Sequence, residues 1–150
     1  LLMNVLGGPA LNTRLTLSIR EKHGYAYNIE SNYTTYEDTG FWSVYMGTDK
    51  KYLKKAIDLI YKEFDLIDNE GLSALELIQA KEQLKGHIAL SLDNNNELMF
   101  THARSIMVRG KVDSMAQIYN QIDQIQLNEL TEIAKTSFDR QSIGQLTYKY

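Results

Sequence analysis

The stretch YAYNIESNYTTYEDTGFWSVYMGT, residues 25–48, decides the fold. Residues 25–35 are rich in Tyr, Ile and Thr, and residues 41–48 are richer still in aromatic and branched side chains, a composition that suits a pleated, half-buried surface. Asp38-Thr39-Gly40 between them is turn chemistry, so the stretch is expected to form a β-hairpin. Alternation puts Tyr25, Tyr27 and Ile29 on one face, and Trp42, Val44 and Met46 on one face of the partner strand. Such a sheet needs a cover on at least one side.

The flanking segments supply it. Upstream, Leu1-Leu2-Met3-Asn4-Val5-Leu6 reads as the last turns of an apolar helix, stopped by Gly7-Gly8-Pro9 because Gly provides a helix-ending conformation and Pro bars continuation. Residues 10–22 are expected to form the next helix, with Leu11, Leu15 and Ile19 as its buried stripe and Gly24 as its end. Downstream, residues 52–69 carry Leu53, Ala56, Ile57, Ile60, Phe64 and Ile67 at helical spacing, closed by Gly71. Ser73-Ala74-Leu75-Glu76 matches a capping box and opens a long helix to about residue 92. The polar run 93–96 re-caps the chain before a helix through Met107, ended by Gly110. Asp113 and Ser114 open another, with Met115, Ile118, Tyr119 and Ile122 inward, and residues 127–138 form the last. Residues 142–150 read as a closing strand with Ile143, Tyr148 and Tyr150 in it. The expected fold is α+β, a mostly antiparallel sheet covered by a layer of several helices.

At 150 residues and 17.2 kDa the chain is one domain, with no repeat, linker or low-complexity tract. The chain has no initiator Met and opens on what reads as the last turns of a helix, so it is expected to be a fragment of something larger. A formal charge of −3 disfavours a nucleic-acid or anionic-membrane partner, and no apolar run is long enough for a membrane span. The expectation is a soluble chain of undetermined compartment. With no cysteine, thiol chemistry and Cys-based zinc sites are excluded.

Hydrolytic zinc needs a pair of His on one helical face with a carboxylate. His23, His87 and His102 are the only histidines and none has a second within a helical turn, so the chain itself is expected to hold no metal. No serine elbow, P-loop or dinucleotide fingerprint is present.

Leu6-Gly7-Gly8, Arg14-Leu15 and Ile19-Arg20-Glu21-Lys22-His23-Gly24-Tyr25-Ala26-Tyr27, in this order, resemble the signature of the C-terminal domain of pitrilysin/insulinase-type zinc peptidases, the family that includes the mitochondrial processing peptidase. The resemblance continues through the Asp38-Thr39-Gly40 turn, Tyr45-Met46-Gly47-Thr48 and the helix carrying Glu76 to Gly86, and so covers most of the chain. Pro9 and Asn12-Thr13 stand where family members commonly carry a third Gly and a Ser pair. The resemblance implies a partial C-terminal domain over residues 1–150, a fragment lacking its first strand. Its zinc lies in a homologous N-terminal domain or partner subunit outside this chain, and its substrates are unfolded peptides in an enclosed chamber. It also implies that Arg20 and Tyr27 reach toward the zinc half as catalytic and substrate-binding donors, with Gly7 and Gly8 beside the substrate. A Tyr hydroxyl suits that role because a scissile carbonyl oxygen gains negative charge during hydrolysis, and Arg20 offers a planar fork to backbone carbonyls.

Read without the resemblance, Arg20 is a surface cation pairing with Glu21 or Glu30, Tyr27 is one of ten tyrosines on a half-buried sheet face, and Gly7-Gly8 is a helix cap. Two further functions stay open on the sequence: a non-catalytic scaffold subunit of the same family, and a protein-interaction module with exposed aromatic strands. An uncovered sheet edge also favours self-association of the fragment.

Overall fold

The structure, a computed structural model, describes residues 1–91 and 94–148. Helix α1 (Leu2–Gly7) is followed by a π-helix (Thr16–Glu21), the hairpin β1 (Asn28–Thr35) and β2 (Gly40–Gly47), and then α2 (Leu53–Glu70), α3 (Ala74–Ser91), α4 (Asn95–Arg109), α5 (Met115–Gln124) and α6 (Leu127–Ser137). β1 and β2 pair antiparallel in a register that runs from Asn28 opposite Gly47 to Thr35 opposite Gly40. This is the expected α+β arrangement, and each helix expected downstream of the hairpin forms within a few residues of its predicted limits.

The core lies between the inner face of the hairpin, α1, the π-helix, α2 and α6. Leu6, Leu15, Ile19 and Ile67 are its largest fully buried side chains. Trp42 meets Phe64 and Phe138 edge-on at 5.5 and 5.6 Å, while those two phenyl rings stack at 4.5 Å, so one indole from the sheet fastens α2 to the end of α6. Buried Ser31 of β1 donates its hydroxyl to the Met3 carbonyl at 2.6 Å, tying α1 to the hairpin. α4 differs from the other helices: it buries no residue, and Met99, Phe100, Ile106, Met107 and Val108 are exposed.

Caps follow local chemistry. Ser73 and Glu76 form the expected reciprocal box at the start of α3, and Ser114 and Gln117 form another at α5. Gly71 and Gly110 close α2 and α4 with φ of 72°. Asn94 caps α4 through its side chain; Asp93, which the sequence grouped with it, lies outside the described residues.

Four expectations are corrected. Residues 10–22 are not one α-helix: helical winding begins at Arg14 and widens to a π-helix at Thr16, where the Lys22 amide reaches the Leu17 carbonyl five residues back at 3.0 Å. Leu11 therefore leaves the buried stripe and is 70% exposed in the turn that follows Pro9, while Leu15 and Ile19 stay buried. On the hairpin, the face expected for Tyr25, Tyr27 and Ile29 is broken, because the ladder starts at Asn28 and the alternation slips between buried Ala26 and buried Ile29. Finally, residues 142–148 form no strand; Ile143 packs on the core, but Leu146 and Tyr148 stand 78% and 83% exposed with no ladder beside them. A strand needs a neighbour's backbone groups, and composition alone does not provide one. Tyr150 lies outside the described residues.

Candidate functional site

The segment joining the π-helix to β1 brings the chemically capable side chains to the surface. Gly24 ends the helical run at φ 61°, the left-handed region that glycine enters freely. The Gly24 and Tyr25 amides close on the Arg20 and Ile19 carbonyls, each at 3.0 Å. Tyr25 then meets His23 in a tilted pair at 5.2 Å and stacks on Tyr52 at 4.8 Å, and the Tyr27 amide donates to the Gly47 carbonyl at 2.8 Å, one step before the ladder begins. Tyr27 is thus pinned by its backbone while its ring is 70% exposed.

Arg20 lies at the C-terminal end of the π-helix, where its charge suits the carbonyl end of the helix. Its guanidinium pairs with the adjacent Glu21 at 2.9 Å, one of the two partners expected for a surface cation. The Tyr27 hydroxyl donates to Asp49 Oδ1 at 2.5 Å. That hydrogen bond, more than partial desolvation and the carboxylate's charge, raises the phenol above its ordinary pKa, so the group is a proton-bearing donor at neutral pH. Among the described residues no hydrogen bond joins Arg20 to Tyr27. Each is held by its own carboxylate.

Gly7 and Gly8 are both buried. A Cβ on Gly7 would lie 2.9 Å from the Ser31 backbone nitrogen, and one on Gly8 2.3 Å from Asn4 Oδ1. The backbone at Gly8, with φ −64° and ψ −178°, is extended, so it is the contact with Asn4 and not the torsion angles that excludes a side chain. Close approach of α1 to β1 requires Gly7, and the tight exit of the chain past Asn4 of α1 requires Gly8; neither glycine has the positive φ of a special helix-ending conformation.

Asp49 escaped the reading of the sequence. The register that strand pairing fixes, continued past Asn28 and Gly47, is what carries residue 27 toward residues 48 and 49. A second unforeseen group is Arg14, which clasps Glu76 with two nitrogens at 2.7 and 3.1 Å and lies 4.0 Å from Glu63. Arg14 lies more than forty positions before either carboxylate, and no local pattern connects it to them.

Among the described residues no group of three or more His, Cys, Asp or Glu side chains converges. His23 is engaged through Nδ1 with the Ser18 carbonyl at 2.6 Å. The residues present therefore do not fit a zinc ion, and what this surface offers is hydrogen-bond donation from a phenol and a guanidinium.

An antiparallel hairpin under a helical layer, with phenol and guanidinium donors on its surface, defines the class: an α+β domain. The family follows from comparison with known proteins. The sequence profile described as the Peptidase M16 inactive domain matches residues 1–84, more than half of the chain, and the chain belongs to that family. It is 31% identical over 137 residues to the uncharacterized zinc protease YmxG of Bacillus subtilis, covering 91% of this chain and 33% of that protein. It is 33% identical over 126 residues to the mitochondrial-processing peptidase subunit beta of Neurospora crassa, covering 82% of this chain and 26% of that one. A conserved protein from Enterococcus faecalis V583 superposes with a TM-score of 0.77 at 26% identity, over 89% of this chain and 31% of the other. The peptidase M16 inactive domain from Pseudomonas fluorescens shares the fold with a TM-score of 0.74 at 20% identity, over 90% of this chain and 32% of that one. The chain spans about a third or less of the length of these relatives. No described helix is long and apolar enough to cross a membrane.

Proposed function

We propose that this domain is the substrate-side half of a zinc-dependent endopeptidase, acting on unfolded peptides together with a zinc-bearing domain or subunit of the same family. The observation that carries this reading is the match to the M16 inactive domain over residues 1–84, which includes both Arg20 and Tyr27. The metal and the attacking water belong to the companion half, and this chain contributes donors. The Tyr27 hydroxyl, exposed and protonated, donates to the scissile carbonyl oxygen as negative charge gathers there, an interaction stronger in the transition state than in the ground state. Arg20 exchanges Glu21 for backbone carbonyls of the peptide, which its planar fork can hold in pairs. An extended peptide can also add to the hairpin as a strand, so the substrate must be unfolded and sequence selectivity is weak. The two halves enclose it in a chamber. Gly7 shapes the site from beneath by letting α1 lie close to β1, and Gly8 by letting the chain leave α1 tightly past Asn4.

The test is turnover of an unstructured peptide by the protein assembled with its zinc-bearing half. Tyr27→Phe should lower kcat by about 10²- to 10³-fold with little change in KM, the size expected for losing one oxyanion donor. Arg20→Lys should act mainly on KM. Wild-type turnover in Tyr27→Phe removes the role given to the phenol. An assembled wild-type protein that cleaves no peptide points instead to a scaffold subunit.

A further inference from the structure

We infer that Asp49 is a latch on Tyr27: in the resting protein it occupies the single hydroxyl proton that the substrate oxygen must receive, and releases it only to an acceptor of comparable strength. This rests on the role proposed above for Tyr27. A phenol has one proton to donate, and here it points at Asp49 Oδ1. A neutral peptide carbonyl is a weaker acceptor than a carboxylate, whereas an oxyanion competes with it on equal terms. Asp49 thus withholds the donor from bound peptide in its ground state and yields it as charge develops, at a cost in overall rate.

The pair is built into the fold. The Asp49 carbonyl accepts from the Tyr52 and Leu53 amides at 2.9 and 3.1 Å, opening α2. The neighbouring Thr48 hydroxyl donates to the Tyr25 carbonyl, and Tyr25 stacks on Tyr52. The carboxylate is therefore fixed to the same short segment that holds Tyr27, so the two groups stay within reach of each other. The other charged or titratable groups on this segment are Tyr52, whose phenol also acts on Tyr27; Lys51, with Nζ 4.0 Å from Asp49 and 4.6 Å above the Tyr52 ring; Lys55, 5.8 Å above the Tyr25 ring; and His23 against Tyr25. None of the hydrogen bonds formed among the described residues offers the Tyr27 proton another acceptor.

The experiment uses Asp49→Asn in the protein assembled with its zinc-bearing half. Asn keeps the side-chain size and the backbone carbonyl that opens α2, but it removes the anionic acceptor and can itself donate to the phenol oxygen. Peptide kcat/KM should rise roughly three- to tenfold, the scale of one hydrogen bond to an exposed charged group. Asp49→Ser should repeat the gain, while Asp49→Asn/Tyr27→Phe should match Tyr27→Phe alone. Independently of activity, the ring-carbon NMR signal of Tyr27, assigned by its loss in Tyr27→Phe, should titrate at lower pH in Asp49→Asn than in the wild type. An unchanged titration overturns the latch, because the bond is then not made. Unchanged or reduced kcat/KM in both Asp49 variants also overturns it, with the role of Tyr27 left standing if Tyr27→Phe is impaired. Full turnover in Tyr27→Phe refutes the role of Tyr27, and the latch falls with it.

Discussion

Replacing Glu76 with Gln should remove a pH-dependent share of the stability of this domain. Burial pushes the Glu76 carboxyl pKa up, but the bidentate Arg14 guanidinium and the hydrogen bonds from Ser73 outweigh it and bring the group from 4.5 down to about 2. A depression of that size corresponds to about 3 kcal/mol. The carboxylate keeps 29% of its side-chain surface in water, and solvent screening reduces this to about 1–2 kcal/mol. Because the folded pKa is the lower one, the contribution is complete above about pH 4.5 and vanishes as pH falls toward about 2. Urea unfolding followed by the fluorescence of Trp42, the only tryptophan, measures the difference between wild type and Glu76→Gln. It should be about 1–2 kcal/mol at pH 7 and shrink steadily below pH 4.5. Other carboxylates titrate in the same range, but they do so in both proteins and cancel. A difference that is negligible at pH 7, or that stays constant from pH 7 to pH 3, refutes the assignment of this stability to the Arg14–Glu76–Ser73 group.

The glycines offer further checks in the same unfolding assay. Gly7→Ala should destabilise by about 1–3 kcal/mol, since its Cβ would press on the Ser31 backbone at 2.9 Å; a neutral variant contradicts the close approach of α1 to β1. Gly24→Ala and Gly86→Ala should diverge in sign although neither new methyl meets a neighbour within 4 Å. At Gly24, φ of 61° penalises any side chain by about 1–2 kcal/mol, whereas Gly86 lies inside α3, where Ala gains up to about 1 kcal/mol. Equal effects at the two positions would mean that backbone conformation is not what separates them.

The sequence offers no zinc motif, since no second His stands near His23, His87 or His102. Arg20 and Tyr27 came from a resemblance to a family, and the match to the M16 inactive domain supports that family without assigning their roles. Nothing in the sequence alone gave Tyr27 its partner. Asp49 becomes visible only when the hairpin register brings residues 48 and 49 back beside residue 27.

The amino-acid order by itself determined the hairpin around Asp38-Thr39-Gly40, the capping box of Ser73 and Glu76, and the helix ends at Gly71 and Gly110, because each rests on bonds and torsions spanning only a few residues. Tertiary structure decided what those residues could not. The winding of residues 16–21, the exposure of Leu11, the slip in alternation before β1 and the unpaired stretch 142–148 all depend on which surfaces are available to pack or pair. The clasp of Arg14 on Glu76 and the hold of Asp49 on Tyr27 depend on it too, since they join side chains 62 and 22 positions apart. Periodicity and propensity act along the chain, while contact between distant side chains exists only after the core has fixed where each element lies.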